Sequence, residues 1–278
     1  MATPTLTRHN IPGALGDILI DVRSSARRHP VPAVLVVHGF KGFKDWGMFP
    51  PFSERLARAG FAAVTVSLSG SGVDGDGRFT LPDRFRRNTF SAELGDLQAV
   101  LDALDGGRLG VPPPTAVGIV GHSRGGGMAI LLAERSRRIQ ALVTWSAIAS
   151  VRRWTDDQVE AWRRNGTVPV RNTRTGEELE LGTETLDDVE RNERGSLDIG
   201  GAASRLVCPW LLIHATDDET VPFVEGKLLA AAAPVTARLL PIDGTGHTYG
   251  AVHPFQGTGP ELERVFDESI RFLSAHLA

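Results

Sequence analysis

The chain has 278 residues with 30 Lys and Arg against 33 Asp and Glu, a net charge of -3, which gives no case for nucleic acid or an anionic membrane surface as a partner. Its length suits one large α/β domain, or a core with a modest insertion, and its one cysteine excludes an internal disulfide. No apolar run approaches the eighteen or so residues of a membrane helix, and residues 1–20 lack a basic start followed by a long apolar core, so the expectation is a cytoplasmic protein without signal peptide or span.

Strand-like and helix-like segments alternate along the chain. Residues 17–22 and 33–37 read as strands, 52–59 has helical spacing with Gly60 as its stop, and 62–67 is a β-branched apolar run. Residues 91–104 place Leu94, Leu97, Leu101 and Leu104 on one helical face. Strands are predicted at 117–120 and 141–145 with an apolar helix between them, then at 210–214 and 236–240 with a helix over 224–233. An amphipathic helix over 262–277 closes the series. Fully apolar strands in this alternation predict an α/β fold, a mostly parallel central sheet with helices on both faces. Residues 150–203 break the rhythm, being polar and lacking a buried-strand run. They read as a helix at 155–165, which with its entry carries Trp154, Val159 and Trp162, and then a hairpin over 168–181 turning near Thr175-Gly176. A segment of this length is expected to be a cap, inserted between core segments 1–149 and 204–278.

The most telling stretch runs from Val117 to Ala133, where a short apolar strand meets a serine flanked by glycines and an apolar helix follows. The spacing Gly121-x-Ser123-x-Gly125 fits a strand-to-helix turn tight enough to strain the serine backbone and lift its hydroxyl above the sheet edge. Glycine is required at 121 and 125 because a side chain at either would meet the neighbouring strand or helix. A phosphate loop would need Gly-x-x-x-x-Gly-Lys-Ser/Thr and a dinucleotide site Gly-x-Gly-x-x-Gly, and neither fits this turn. Ser123 is therefore the candidate nucleophile.

An attacking serine needs a base, an orienting acid and an oxyanion hole, and on such a sheet the chain order is Ser, then Asp or Glu, then His. The acid belongs just past a strand end, where Asp217 and Asp218 follow the strand at 210–214; spacing alone leaves both open. One helix and one strand later, His247 stands among small residues that leave it accessible. The N–H groups of Arg124, just after the nucleophile, and of Phe40, in the early loop His38-Gly39-Phe40, are the candidate oxyanion donors. The Arg124 side chain is given no role, His38 is read as ordering its loop, and His122 as packing inside the turn. His253 reads as a loop residue, and His9, His29 and His276 fall in terminal or surface stretches. Trp145, at a strand end, and Trp154 and Trp162, in the cap, are candidates for packing against substrate, with a place in the core an equal alternative for Trp145. Cys208, in an apolar run, reads as a buried structural thiol. Cys-x-x-Cys and His-Glu-x-x-His patterns are absent, so neither metal nor cofactor is expected.

Over essentially its full length the chain resembles the α/β-hydrolases. The resemblance rests on Val37-His38-Gly39-Phe40, Gly121-His122-Ser123-Arg124-Gly125-Gly126, His214 to Pro222 and Gly246-His247. It is most similar to bacterial cinnamoyl/feruloyl esterase-like and dienelactone-hydrolase-like members, although dienelactone hydrolases proper usually use cysteine where this chain has Ser123. The family pattern Gly-x-x-Asp-x-x-Val-Pro puts the acid on Asp218, with Ala215 standing where glycine is usual. The resemblance implies a serine hydrolase that cleaves small-molecule carboxylic esters through Ser123, His247 and Asp218 and an acyl-enzyme. A serine peptidase and a carbon–carbon bond hydrolase use the same fold and triad, and a non-catalytic binding module is the reading from another class. Neither the physiological ester nor the oligomeric state follows from the sequence.

Overall fold

The computed structural model describes residues 3–25, 28–171 and 178–277. In chain order the elements are β1 (Thr5–Gly13), β2 (Gly16–Ser24), β3 (Ala33–Val37), α1 (Phe49–Arg58), β4 (Ala62–Ser67), α2 (Pro82–Arg86), α3 (Phe90–Asp105), β5 (Val117–His122), α4 (Arg124–Arg135) and β6 (Ile139–Trp145). Then follow α5 (Asp156–Asn165), β7 (Thr167–Arg171), β8 (Glu178–Gly182), α6 (Glu184–Asn192), α7 (Ile199–Arg205), β9 (Trp210–Ala215), α8 (Phe223–Ala232), β10 (Ala237–Ile242) and α9 (Pro260–Leu277).

Eight strands form one sheet in the order β1-β2-β4-β3-β5-β6-β9-β10. From β4 to β10 neighbouring strands run parallel, and the β1–β2 hairpin is added antiparallel at one edge. The central strands are apolar throughout because both faces are covered. Along β3, Val34 and Val36 point to one face, where Phe49, Phe52 and Leu56 of α1 and Val265, Phe266 and Leu273 of α9 pack. Ala33, Leu35 and Val37 point to the other, against Leu94, Leu97 and Leu101 of α3 and the apolar side of α4. Each such Leu or Phe contributes roughly 1.5–3 kcal/mol by leaving water. That burial makes the sheet a stiff platform for the loops at its edge.

The chain goes from β3 outward to β4, then crosses back to β5 on the other side of β3. This reversal opens a crevice past the carboxyl ends of β3 and β5, the position where open α/β sheets bind ligands. Val37 pairs with Gly121 in that register, so the loop at His38–Phe40 and the turn at Ser123 leave the sheet side by side.

The insertion after β6 carries its own two-stranded antiparallel sheet, β7 with β8. The hairpin is formed, while its expected turn at Thr175-Gly176 lies outside the described residues. Trp162, Leu181 and Leu186 make a small separate cluster there, with Trp154 and Phe40 against it. Ile199, Ala202 and Ala203 of α7 pack instead in the main core. Among the described residues no helix is long and apolar enough to cross a membrane.

Candidate active site

Ser123 sits between β5 and α4 with φ 57° and ψ -121°, a backbone conformation that costs a non-glycine residue about 1–3 kcal/mol. The surroundings enforce it. Ser123 N–H donates to the Trp145 carbonyl at 2.8 Å, and its carbonyl accepts from Gly126, Gly127 and Ile148. A Cβ at Gly121 would lie 2.3 Å from the Gly125 carbonyl oxygen, and one at Gly125 would lie 2.2 Å from the His38 carbonyl oxygen. The two glycines thus let β5, α4 and the loop after β3 meet at van der Waals distance. Being at the start of α4, Arg124 has no earlier turn of helix to accept its N–H.

The loop after β3 is fixed by His38, as the sequence suggested. Leu68 N–H donates to its Nε2 at 3.2 Å, so Nδ1 carries the proton and donates to the Gly39 carbonyl at 2.8 Å. A tight turn follows, in which Gly42 N–H donates to the Gly39 carbonyl. Phe40, on that turn, stacks on Phe85 at 5.4 Å between ring centroids.

Asp218 and His247 are in direct contact. His247 Nδ1 donates to Asp218 Oδ2 at 2.8 Å, while Asp218 Oδ1 accepts the N–H groups of Thr220 and Val221 at 2.9 and 2.8 Å. Burial works to raise the Asp218 carboxyl. The His247 hydrogen bond and charge, the Val221 N–H and the Ser146 hydroxyl outweigh it and hold the pKa below the ordinary carboxylate value. With Nδ1–H committed to Asp218, a neutral His247 presents the lone pair of Nε2. Asp217 does not reach His247; its N–H donates to the Thr245 carbonyl. The alternative left open by spacing is resolved in favour of Asp218 as His247's partner.

Ser123 and His247 line one cavity of about 360 Å³, together with Gly39, Phe40 and Trp46. A hydrogen bond between them is not closed among the described residues, which is common before substrate draws such a pair together. A second cavity of about 190 Å³ shares Phe40, Ser123 and Thr220 with the first. It runs under the insertion, where Trp154 forms part of its wall.

The three tryptophans separate. Trp154 lines the smaller cavity. Trp162 lies behind it, edge-on at 5.0 Å between centroids, and donates its indole N–H to the Leu181 carbonyl; it supports Trp154 and lines neither cavity. Trp145 corrects the expectation. Its ring is on the α1/α9 face of the sheet against Phe52 and Phe266, fully buried, and donates to Ser269 Oγ at 2.9 Å. One residue further along β6 the side chain would have pointed the other way.

Several supporting interactions were not foreseen from sequence. His122 does more than pack: its Nε2–H donates to the His247 carbonyl at 3.0 Å, with ring centroids 4.6 Å apart. Burial and the neighbouring His247 push its pKa down to about 3, so it is a neutral donor and no competing base. Tyr249 O–H donates to the Ile213 carbonyl at 3.1 Å, and its oxygen lies 3.0 Å from Ser146 Oγ. Arg124 Nε donates to Glu93 Oε2 at 2.9 Å, both side chains being buried. In sequence these residues look like ordinary polar positions; His122, Arg124 and Tyr249 stand close to Ser123 or His247, whereas Glu93 is 31 positions from Arg124 and carried no such signal. Cys208 is buried as expected, its thiol pushed up to about 11 by desolvation. Among the described residues no cluster of His, Cys, Asp and Glu is arranged to hold a metal ion.

Comparison with known proteins agrees with this architecture. A family model described as alpha/beta hydrolase fold matches residues 32–165. Among solved structures, Est1E from Butyrivibrio proteoclasticus with ferulic acid bound is 18% identical, with a TM-score of 0.76 over 96% of this chain and 98% of that one. A putative hydrolase from Agrobacterium vitis S4 is 17% identical, with a TM-score of 0.75 over 96% and 99%. The esterase domain of a Rhodothermus marinus protein is 17% identical, with a TM-score of 0.68 over 99% and 100%. No curated protein matches the chain in sequence.

Proposed function

We propose that this chain, which has the α/β-hydrolase fold, is a serine hydrolase that cleaves carboxylic esters of small molecules through an acyl-enzyme. The observation that carries the reading is that His247, which lines one cavity with Ser123, is paired behind that wall with a doubly anchored Asp218. In this reading His247 Nε2 takes the Ser123 proton as Oγ attacks the ester carbonyl. Asp218 keeps the imidazole in the required tautomer and stabilises its cation. The N–H groups of Arg124 and Phe40 form the oxyanion hole, and the Gly121–Gly125 turn is a nucleophile elbow. Water then attacks the acyl-enzyme by the same proton route in reverse.

Direction follows from the base. His247 returns its proton to the departing alcohol, so the alcohol occupies the larger cavity, which His247 lines. The smaller cavity, away from His247 and roofed by Trp154, takes the acyl group. The part of 150–203 that clusters outside the main core, from Trp154 to Leu186, is then the cap that completes this acyl side.

Ser123→Ala is expected to remove turnover of short nitrophenyl esters by at least about a thousandfold, and to abolish labelling by a fluorophosphonate probe while the thermal melting curve stays unchanged. Labelling or hydrolysis undiminished in that variant sinks the assignment.

A further inference from the structure

The acyl-side cavity has one feature that the ester chemistry does not use. Arg124 lines it, and its guanidinium is held between two aromatic rings that also line it, 3.7 Å above the Phe90 centroid and 5.3 Å from that of Phe40. Nε is bonded to Glu93, and that is the one hydrogen bond the guanidinium makes among the described residues. Nη2 is buried without a partner. An arginine side chain only 7% exposed with a donor left over is unusual, because buried donors are nearly always satisfied.

Two properties define what could satisfy it. The cavity holds about 190 Å³ and is walled by Phe40, Phe90, Ile148, Trp154 and Val221; an apolar cavity of about 150 Å³ accommodates a benzene ring. A single six-membered ring, or an acyl chain of similar bulk, is the matching size. Charge narrows it further. Arg124 already has Glu93 at 2.9 Å, and the cavity's other arginine, Arg153, has Glu225 at 2.6 Å. Each cation is matched by a carboxylate, so an incoming anion would meet two carboxylates for two guanidinium groups. A neutral acceptor brings no such repulsion and still gives Nη2 its hydrogen bond.

We propose that the Arg124 side chain is a specificity-determining group, selecting esters whose compact, largely apolar acyl part carries a neutral hydrogen-bond acceptor such as an ether, hydroxyl or carbonyl oxygen. This rests on the hydrolase reading above and on the smaller cavity being its acyl side. The backbone N–H of the same residue serves the oxyanion, so one residue both stabilises the reacting carbonyl and reads the far end of the acid.

Three esters sharing one nitrophenyl leaving group test it: tetrahydropyran-4-carboxylate, cyclohexanecarboxylate and trans-4-carboxycyclohexanecarboxylate. The ring size is common to all, and they present an ether oxygen, no acceptor and an anion. After correction for hydroxide-catalysed hydrolysis, the wild-type kcat/KM is expected to favour the ether over the carbocycle by about tenfold or more, with the anion below both. In Arg124→Lys, which keeps a cation for Glu93 but has no second nitrogen, the ether-to-carbocycle ratio falls toward one whatever happens to the absolute rates. Arg124→Met/Glu93→Gln, which removes both buried charges, gives the same collapse if the lysine variant is unstable. A wild-type ratio of one would mean that no acceptor on the acyl part reaches Nη2 and overturns the proposal, as would preference for the anion. Turnover of none of the three, with Ser123 still labelled by a fluorophosphonate, overturns the acyl-side assignment and leaves the hydrolase intact. Loss of labelling as well removes both.

Discussion

Two buried charges flank Ser123, and they are treated differently. On one side Asp218 has both oxygens engaged, by two backbone N–H groups and by His247. On the other, Arg124 has one nitrogen engaged by Glu93 and another buried without a partner. The low-dielectric setting is shared; the degree of satisfaction is not. A fully bonded carboxylate is locked in charge and direction, which suits a group that must orient a base. An incompletely bonded guanidinium retains capacity for a ligand. In the hydrolase reading proposed above, the contrast separates a side that serves chemistry from one that serves recognition.

The largest effect expected from disturbing the chemical side is at Asp218. Asp218→Asn keeps the shape and one acceptor oxygen, but its amide can donate to the ring and favour the wrong tautomer of His247. By analogy with the same change in a serine protease triad, kcat should fall by about 10⁴. The loss is expected at all pH values where the wild type is active, with KM little altered. A pre-steady-state burst of full amplitude and normal rate would contradict this role for Asp218.

The matching disturbance on the recognition side acts on stability. Glu93→Leu leaves the buried Arg124 cation uncompensated and should cost about 3–5 kcal/mol of unfolding free energy in urea titrations. Pairing it with Arg124→Met removes both charges and should recover most of that loss. The coupling energy from the double-mutant cycle is the quantity to measure. Simple additivity of the two single variants would show that the pair does not act as a unit, and would weaken the contrast with Asp218.

How far this contrast could be read from the chain depends on which interactions have a local signature. β3, β4, β5 and β9 are continuous apolar runs because both sheet faces are covered, so residues 33–37 and 62–67 were placed without error and the others nearly so. β1 escaped notice because it is an edge strand with Ile11 its one buried residue. The helices α6 and α7 lie in the polar insertion, and α7 carries two glycines. The strained turn at Ser123 and the pairing of Asp218 with His247 were legible because strand ends, turn glycines and chain order announce such positions. Trp145 was misplaced because proximity to a strand end says nothing about which face a ring occupies. The link between Arg124 and Glu93 spans 31 positions. Each residue, in the first turn of its own helix, looks in sequence like an ordinary surface charge. Satisfaction of buried charge is a property of packed elements, and it became visible only when α3 was set beside α4.

The smallest expected effect separates the two sides by pH. His122 stands beneath His247 on the chemical side, 7% exposed, with its pKa lowered to about 3 from 6.5. Between those values the unfolded chain binds a proton at this residue that the folded protein does not, so the stability contribution is full above pH 6.5 and is lost as pH falls toward 3. The slope is on the order of 1.4 kcal/mol per pH unit, giving about 2 kcal/mol between pH 6.5 and 5. His122→Asn can still donate to the His247 carbonyl but does not titrate. Urea unfolding at pH 7.5, 6 and 5 should therefore show a flatter acid limb for the variant than for wild type. The Glu93→Leu/Arg124→Met pair, on the recognition side, should leave the His122-dependent slope unaltered. Parallel slopes for His122→Asn and wild type would mean that His122 is protonated in the fold. It would then be a buried cation against the His247 ring, and the side that holds Asp218 would no longer be the fully satisfied one.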